Sequence, residues 1–265
     1  MRGGTGADFN ITEITGLSFP DTAVQTVRYP GVPGQTVTGI SHFPRTITIS
    51  GDIKDERGVL TSRAATVFSK PGTLFVISNR NSRKIECRCT NFEPKKRQGI
   101  YVPFVMQLVS DYPYFEDVSE NCEPILKKEK LLCRTVTFPE MFSKRLNEAR
   151  IVNQGTYKNE PVFKINTVNY AECPDGVIIE NLTTGQKLTL STDVLEGETI
   201  TVDVGERKIT SDLRGNMIGI MAQNDMLSKM YLAVGINDIL VTATNEKEML
   251  LITCTHKNEY VEAVF

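Results

Sequence analysis

The chain has 265 residues, 40% of them hydrophobic, which is enough for buried cores and long for one domain, so two domains of ordinary size are expected. Its 30 basic and 32 acidic side chains nearly cancel, which excludes a general attraction to polyanions such as nucleic acid. The start Met1-Arg-Gly-Gly-Thr-Gly-Ala-Asp8 has no apolar signal core, and apolar runs such as Met249 to Ile252 are far too short to span a bilayer, so a soluble chain made in the cytosol, with no membrane partner, is expected.

Met1 to Gly39 is rich in Gly, Pro and Thr, and no element is predicted there. The first alternating segment is Arg45 to Ile53, with Ile47 and Ile49 on one face, a half-buried strand. From Asp55 to Phe68 the pattern changes. Val59, Leu60, Ala64, Val67 and Phe68 recur at spacings of three and four, and Pro71-Gly72 supplies a stop, so one helix is predicted over about 55–69. Thr73 to Ser78 and Lys84 to Cys89 read as a hairpin joined by Asn79 to Arg83. Ile100 to Val109 is a further strand ending at Asp111-Tyr-Pro-Tyr-Phe115, with Pro103 suggesting an edge or a bulge.

Glu116 to Lys130 is polar and charged, with Lys127, Lys128 and Lys130 following its acids, and reads as a connection between domains 1–132 and 133–265. Beyond it the strand candidates are Arg134 to Phe138, Pro161 to Thr167, Gly176 to Leu182, Gln186 to Leu190, Glu198 to Val204, Arg207 to Ser211, Asp238 to Thr244, Met249 to Thr255 and Tyr260 to Phe265. Short strands separated by turns such as Thr183-Thr184-Gly185 and Gly205-Glu206 indicate a β-sandwich or barrel. Residues 1–132 carry 17 basic and 14 acidic side chains and 133–265 carry 13 and 18, so the halves differ in sign.

Chemistry is sparse. His42 and His256 are the only imidazoles, neither stands in a nucleophile motif, and Ser41 beside His42 points to the opposite face of a strand, so loop or surface histidines are expected. Cys87 and Cys89 share a strand face. With Cys122 and Cys133 they do not match paired zinc-ligand spacing, so small buried residues facing a core are the better reading. Six cysteines in a chain of this length are expected to stay thiols, and the sequons Asn10-Ile-Thr12 and Asn181-Leu-Thr183 to carry no sugar.

Gly31-Val-Pro-Gly34 lacks the Lys-Ser/Thr of a phosphate loop, and Gly3-Gly4-Thr-Gly6 follows no strand, so turns and a flexible terminus explain both. Arg80, Arg83, Lys84, Arg88, Lys95, Lys96 and Arg97 form the strongest charge feature, with Phe92 the one aromatic among them. A solvated hairpin face, a charged protein contact and the inner face of a ring passing DNA are its three readings. No catalytic, cofactor-binding or metal-binding residue is assigned.

The order of segments resembles the distal tail protein family of siphophages and related tail-like particles. The first half carries the alternating strand, one helix closing at Ser69-Lys-Pro-Gly72, a hairpin, and a strand ending at Asp111 to Phe115. The second half is similar at Ile151-Val-Asn-Gln-Gly155, Pro161-Val-Phe-Lys-Ile165, Ile178 to Gly185 and Leu232-Ala-Val-Gly-Ile-Asn237. The likeness runs from about Thr46 to the C-terminus, while Met1 to Gly39 departs from that family's opening strands.

The resemblance implies a mainly β chain: an N-terminal tail-tube-like β-barrel with one helix, forming a hexameric ring, then a galectin-like β-sandwich pointing outward. It implies a baseplate hub at the virion tail tip, assembled in the host bacterial cytoplasm and joining the tail tube protein to tip and receptor-binding proteins. DNA would be cargo only, and the family has no enzymatic activity. Two other readings follow from the residues: a carbohydrate-binding module on the particle surface, and a cysteine hydrolase using Cys87 or Cys89 with His256. The lack of Trp and of clustered Tyr ranks the glycan reading below scaffold use.

Overall fold

The computed structural model describes residues 8–78, 81–130, 143–243 and 250–263. The strand expected over Arg134 to Phe138, together with Cys133, Arg80 and the Gly3 to Gly6 cluster, lies outside them. The protein is mainly β, as the alternation predicts. It forms two compact units: the described residues up to Val118 together with those from Tyr260, and Ser119–Glu259.

In the first unit the elements are β1 (Phe9–Thr15), β2 (Thr22–Val27), β3 (Thr36–His42), β4 (Arg45–Lys54), α1 (Val59–Phe68), β5 (Gly72–Ile77), β6 (Ser82–Pro94), β7 (Tyr101–Ser110) and β8 (Phe115–Asp117). β4 is the frame. Its alternate residues Ile47, Ile49 and Ile53 are buried, and it pairs antiparallel with β1 on one side and β7 on the other. Gly51 permits the β1 contact: a Cβ there would lie 2.2 Å from the Asn10 carbonyl oxygen.

The long β6 divides its work at a bulge between Cys89 and Asn91. Arg88–Pro94 pair with β7, while the first half pairs with β5 and β8, so the sheet curls. Among the described residues β1 pairs only with β4 and β5 only with β6, which leaves one edge of each open there. Among the described residues β2 and β3 pair only with each other.

Two expectations need correction here. α1 is shorter than 55–69, and its core stripe is Leu60, Ala64 and Phe68; Val59 and Val67, 63% and 60% exposed, face away. Phe68 packs on Phe92, and Phe92 on Phe104, with ring centroids 5.3 and 5.9 Å apart. Pro103, expected at an edge or bulge, lies in the central strand β7, paired with Asp52. Its carbonyl accepts the Lys95 amide at 2.7 Å from just beyond the end of β6. The missing N–H faces that same side, past the last residue of β6, so no ladder bond with β4 is lost.

The second unit comprises β9 (Asn121–Lys130), β10 (Ser143–Leu146), β11 (Glu148–Asn153), β12 (Val162–Thr167), β13 (Val177–Asn181), β14 (Gln186–Leu190), β15 (Thr199–Asp203), β16 (Lys208–Ser211), β17 (Gly215–Asn216), β18 (Gly235–Ala243) and β19 (Leu250–His256). One sheet has the order β10-β9-β19-β12-β15-β16-β17 and the other β11-β18-β13-β14. Their inner faces meet in one apolar core that includes Phe163, Ile165, Ile200 and Ile252 from the first, and Ile151, Ile179, Leu188 and Ile239 from the second. Strands β12, β13, β15 and β19 supply every second residue, the period of a face-to-face sandwich.

The segment read from composition as an interdomain connection is therefore half wrong. Asn121–Lys130 is β9, paired with β19 and β10, and the chain divides after Val118 and not near 132. A bulge between Ile252 and Thr253 of the partner ladder lets the adjacent Ile125 and Leu126 both be buried, which breaks the period of two that marks a strand. The last strand, β20 (Glu259–Tyr260), is shorter than the expected Tyr260 to Phe265 and pairs with β8, so the chain ends in the unit where it began.

Candidate assembly surface

The N-terminal stretch for which no element was predicted carries the most exposed apolar surface of the first unit. β2 and β3 form an antiparallel ribbon joined by residues 28–35, and Val24, Val37 and Ile40 on its strands are 53–65% exposed, as is Val32 at its tip. Phe19 and Phe43 at its foot are exposed as well. An isolated two-stranded ribbon is marginal in water, and apolar side chains left on it mark a contact surface.

The ribbon's base is held. Phe43 donates its amide to the Asp21 carbonyl at 2.8 Å, and His42 lies edge-on between Phe19 and the buried Tyr114, at 5.5 and 5.6 Å. Its Nδ1 is 3.2 Å from the Thr22 hydroxyl. His42 is thus an anchor for the arm, not a loop residue.

Beside the arm the curled sheet leaves a groove of about 1020 Å³ between the open edges of β1 and β5. Ile49, Met106 and Leu108 lie at its floor, Ile11 and Ile14 on the β1 side, and Leu74, Phe75 and Ile77 on the β5 side. Among the described residues its charged lining residues are Glu13 and Lys70, both exposed. No residue of 22–43 lines it.

Cys87 and Cys89 also line this groove, on one face as predicted, half-buried against the core. Burial pushes both thiols up, despite hydrogen bonds with Leu74 and Asn91 that act the other way. A raised thiol is a poor nucleophile at neutral pH. His256, expected at the surface, is instead buried at the end of β19 in the second unit. Among the described residues no group of three or more His, Cys, Asp or Glu converges as metal ligands would.

The basic cluster is mostly engaged within the unit. Arg83 is buried, stacked 3.7 Å over the Tyr260 ring and donating to the Glu262 carbonyl. Lys84 faces Glu116 at 3.8 Å, Arg88 meets Asp111 at 2.7 Å, and Arg97 donates to the Glu56 carbonyl at 2.9 Å. Lys95 and Lys96 remain exposed.

Arg45, which sequence reasoning passed over, is 3% exposed and has carbonyls around it instead of a carboxylate. It donates to Pro113, Gly16, Ser18 and Val261 at 2.6, 2.8, 2.5 and 2.5 Å, and its guanidinium lies 4.8 Å over Phe115. Burial pulls its pKa down to about 10, so it stays charged at neutral pH. With Arg83 and the Ala263 amide, which donates to Leu17, it ties the C-terminal segment into this unit.

In the second unit a sugar platform would need exposed aromatics. Among the described residues there, Tyr170 is the exposed large aromatic, and its hydroxyl donates to Asp193 at 2.7 Å. The outer face of β11 and β18 carries the exposed cross-strand pair Val152 and Ile236.

No protein-family model and no curated protein matches the sequence. Among solved structures the chain is similar to the Dit protein (gp 19.1) of phage SPP1, described as a paradigm of the hub adsorption apparatus in phages infecting Gram-positive hosts. The identity is 12%, the alignment covers 95% of this chain and 93% of that one, and the TM-score is 0.68. It also aligns with a chain of the phage P2 baseplate in its activated, calcium-bound conformation, at 11% identity, 95% and 91% coverage and a TM-score of 0.46. At such identities the SPP1 likeness is one of fold, and it takes in both units.

Proposed function

We propose that the chain is a structural hub of a phage or phage-like distal tail, in which copies join as a ring, expected to be hexameric, between the tail tube and the tip or receptor-binding proteins. The observation that carries this reading is the shared fold with the SPP1 hub protein over 95% of the chain. The first unit supports it with features that an assembling subunit needs and an enzyme does not: open sheet edges and an exposed apolar arm. The reading assigns no catalytic step, and the raised thiols of Cys87 and Cys89 are poor nucleophiles at neutral pH. The second unit, as a galectin-like sandwich, would point outward and hold partners.

Mass photometry of the purified full-length protein tests the ring, and immunogold electron microscopy of particles tests its place. Closed species of about six copies, and label at one end of the tail, are the expected results. A chain that stays monomeric at high concentration and is absent from particles overturns the proposal.

A further inference from the structure

A cavity of about 560 Å³ in the first unit is lined by the first half of β6 and the end of β7. Lys84, Glu86 and Arg88 alternate along β6, so they share one face of the strand. Asp111, after β7, and Glu116, on β8, stand against them: Arg88 meets Asp111 at 2.7 Å and Lys84 meets Glu116 at 3.8 Å. Tyr112 and Tyr114 also line the cavity, edge to face with ring centroids 5.2 Å apart. Tyr114 is buried, whereas Tyr112 is 45% exposed. We propose that this cavity binds a short neutral saccharide, which lies against the Tyr112 ring.

The charges of the lining select the ligand. Among the described residues they are two cations and three carboxylates. An anion would meet Glu86, Asp111 and Glu116, and a cation would meet Lys84 and Arg88. A hydroxyl suits both, because it donates and accepts, so neighbouring hydroxyls of a sugar ring can bond a guanidinium and the carboxylate beside it. The side chains of Arg88 and Asp111 are 57% and 71% exposed. A pair so exposed contributes little to stability, and turning its partners towards a ligand costs correspondingly little.

Size and apolar surface agree with this choice. Small-ligand pockets span roughly 300–1,000 Å³, and the cavity falls within that range. A tyrosine offers a flat apolar face beside a polar tip, which matches the C–H face of a sugar and the hydroxyls at its rim. The platform is held from behind. Ser110, 2% exposed, donates its hydroxyl to the Tyr112 carbonyl at 2.6 Å, and the buried Tyr114 backs the Tyr112 ring. The inference does not depend on the ring reading.

An array of neutral bacterial mono- to tetrasaccharides, with acidic and amine-bearing glycans as the charged set, is probed with the full-length protein. Saturation-transfer NMR then follows each bound sugar. The expected result is binding within the neutral set, weakened about tenfold by Y112A. Tyr112 is half exposed, so unchanged far-UV circular dichroism is expected. E86A, which removes an exposed carboxylate of the lining, is the second variant should Y112A fold poorly, and it is expected to weaken the same sugar. Y170A, in the second unit, is expected to bind as wild type does. No bound neutral sugar, binding confined to the charged set, or binding that Y112A and E86A leave intact overturns the proposal. Loss of binding in Y170A alone overturns it too, by moving the site to the second unit.

Discussion

Asn181 donates its carboxamide N–H to Oδ1 of Asn237 at 3.1 Å, with both side chains fully buried in the second unit. The same Oδ1 accepts the Ala233 amide, and Asn237 Nδ2 donates to the Ala233 and Gly235 carbonyls. Asn237 thus acts as a substitute peptide group that closes the turn before β18. Asn181 extends the hold to the Tyr231 carbonyl, and Asn153 to that of Leu232.

Replacing Asn237 by Ala leaves Ala233 N–H and C=O without their partners in a buried turn. The expected loss is about 2–4 kcal/mol of stability, read as a lower urea midpoint for the full chain. Asn237→Asp keeps the shape but sets an acceptor against the Ala233 and Gly235 carbonyls, and is expected to be no better. A variant within 0.5 kcal/mol of wild type, roughly the scatter of surface changes, contradicts this account.

Arg45 joins four carbonyls from three stretches of chain, one of them the C-terminal segment. Arg45→Ala strands Pro113, Gly16, Ser18 and Val261 carbonyls and is expected to cost roughly 3 kcal/mol. Deleting residues 260–265 removes Ala263 from the core and the Tyr260 ring from under Arg83. Hydrogen exchange is expected to rise in β4 and β8 for both variants while β12 and β19 keep their protection.

Glu198 is fully buried, and Arg214 grips it through two parallel contacts, Nε to Oε1 at 2.6 Å and Nη2 to Oε2 at 2.7 Å. Burial acts to raise this carboxyl's pKa, but the Arg214 fork, the Ser211 hydroxyl and the Leu195 amide together hold it below the usual carboxylate range. Arg214→Met leaves an uncompensated buried acid and is expected to cost about 3–5 kcal/mol in denaturant titration. Adding Glu198→Gln in the same chain is expected to restore part of that loss.

Asp55 receives the Thr61 amide and hydroxyl at 2.9 and 2.7 Å. Burial acts to raise its pKa, and these bonds with those from Leu60 and Gly58 outweigh it, holding the group at about 2 against an ordinary 3.8. A depressed folded pKa means stability that is present above the ordinary value and is lost as pH falls towards 2. Between pH 4 and pH 2 the thermal midpoint of wild type is therefore expected to drop further than that of Asp55→Asn. Parallel curves for the two proteins would show that the helix start draws no support from the ionised carboxylate.

Legibility in the sequence followed one-sided burial. β4, β12, β13, β14 and β15 bury alternate residues on a single face, so Ile47, Ile165, Ile179, Leu188 and Ile200 announce them. β2 and β3 have no buried face, so their Thr and Val read as loop; β9 loses its period at a bulge. Arg45 was read only as the first residue of a strand, because its carbonyl partners lie 27 to 216 positions away.

The amino-acid order alone therefore determined a mainly β chain with one helix within 55–69, since propensity and period are local properties. The segments singled out for their resemblance, Ile151 to Gly155, Ile178 to Gly185 and Leu232 to Asn237, supply three of the second unit's buried asparagines, Asn153, Asn181 and Asn237. Only the tertiary structure decided which unit owns Asn121–Lys130 and the C-terminal segment, and that an arm and an open groove stand on the same unit. Those depend on pairing between distant strands, which no window of neighbouring residues contains.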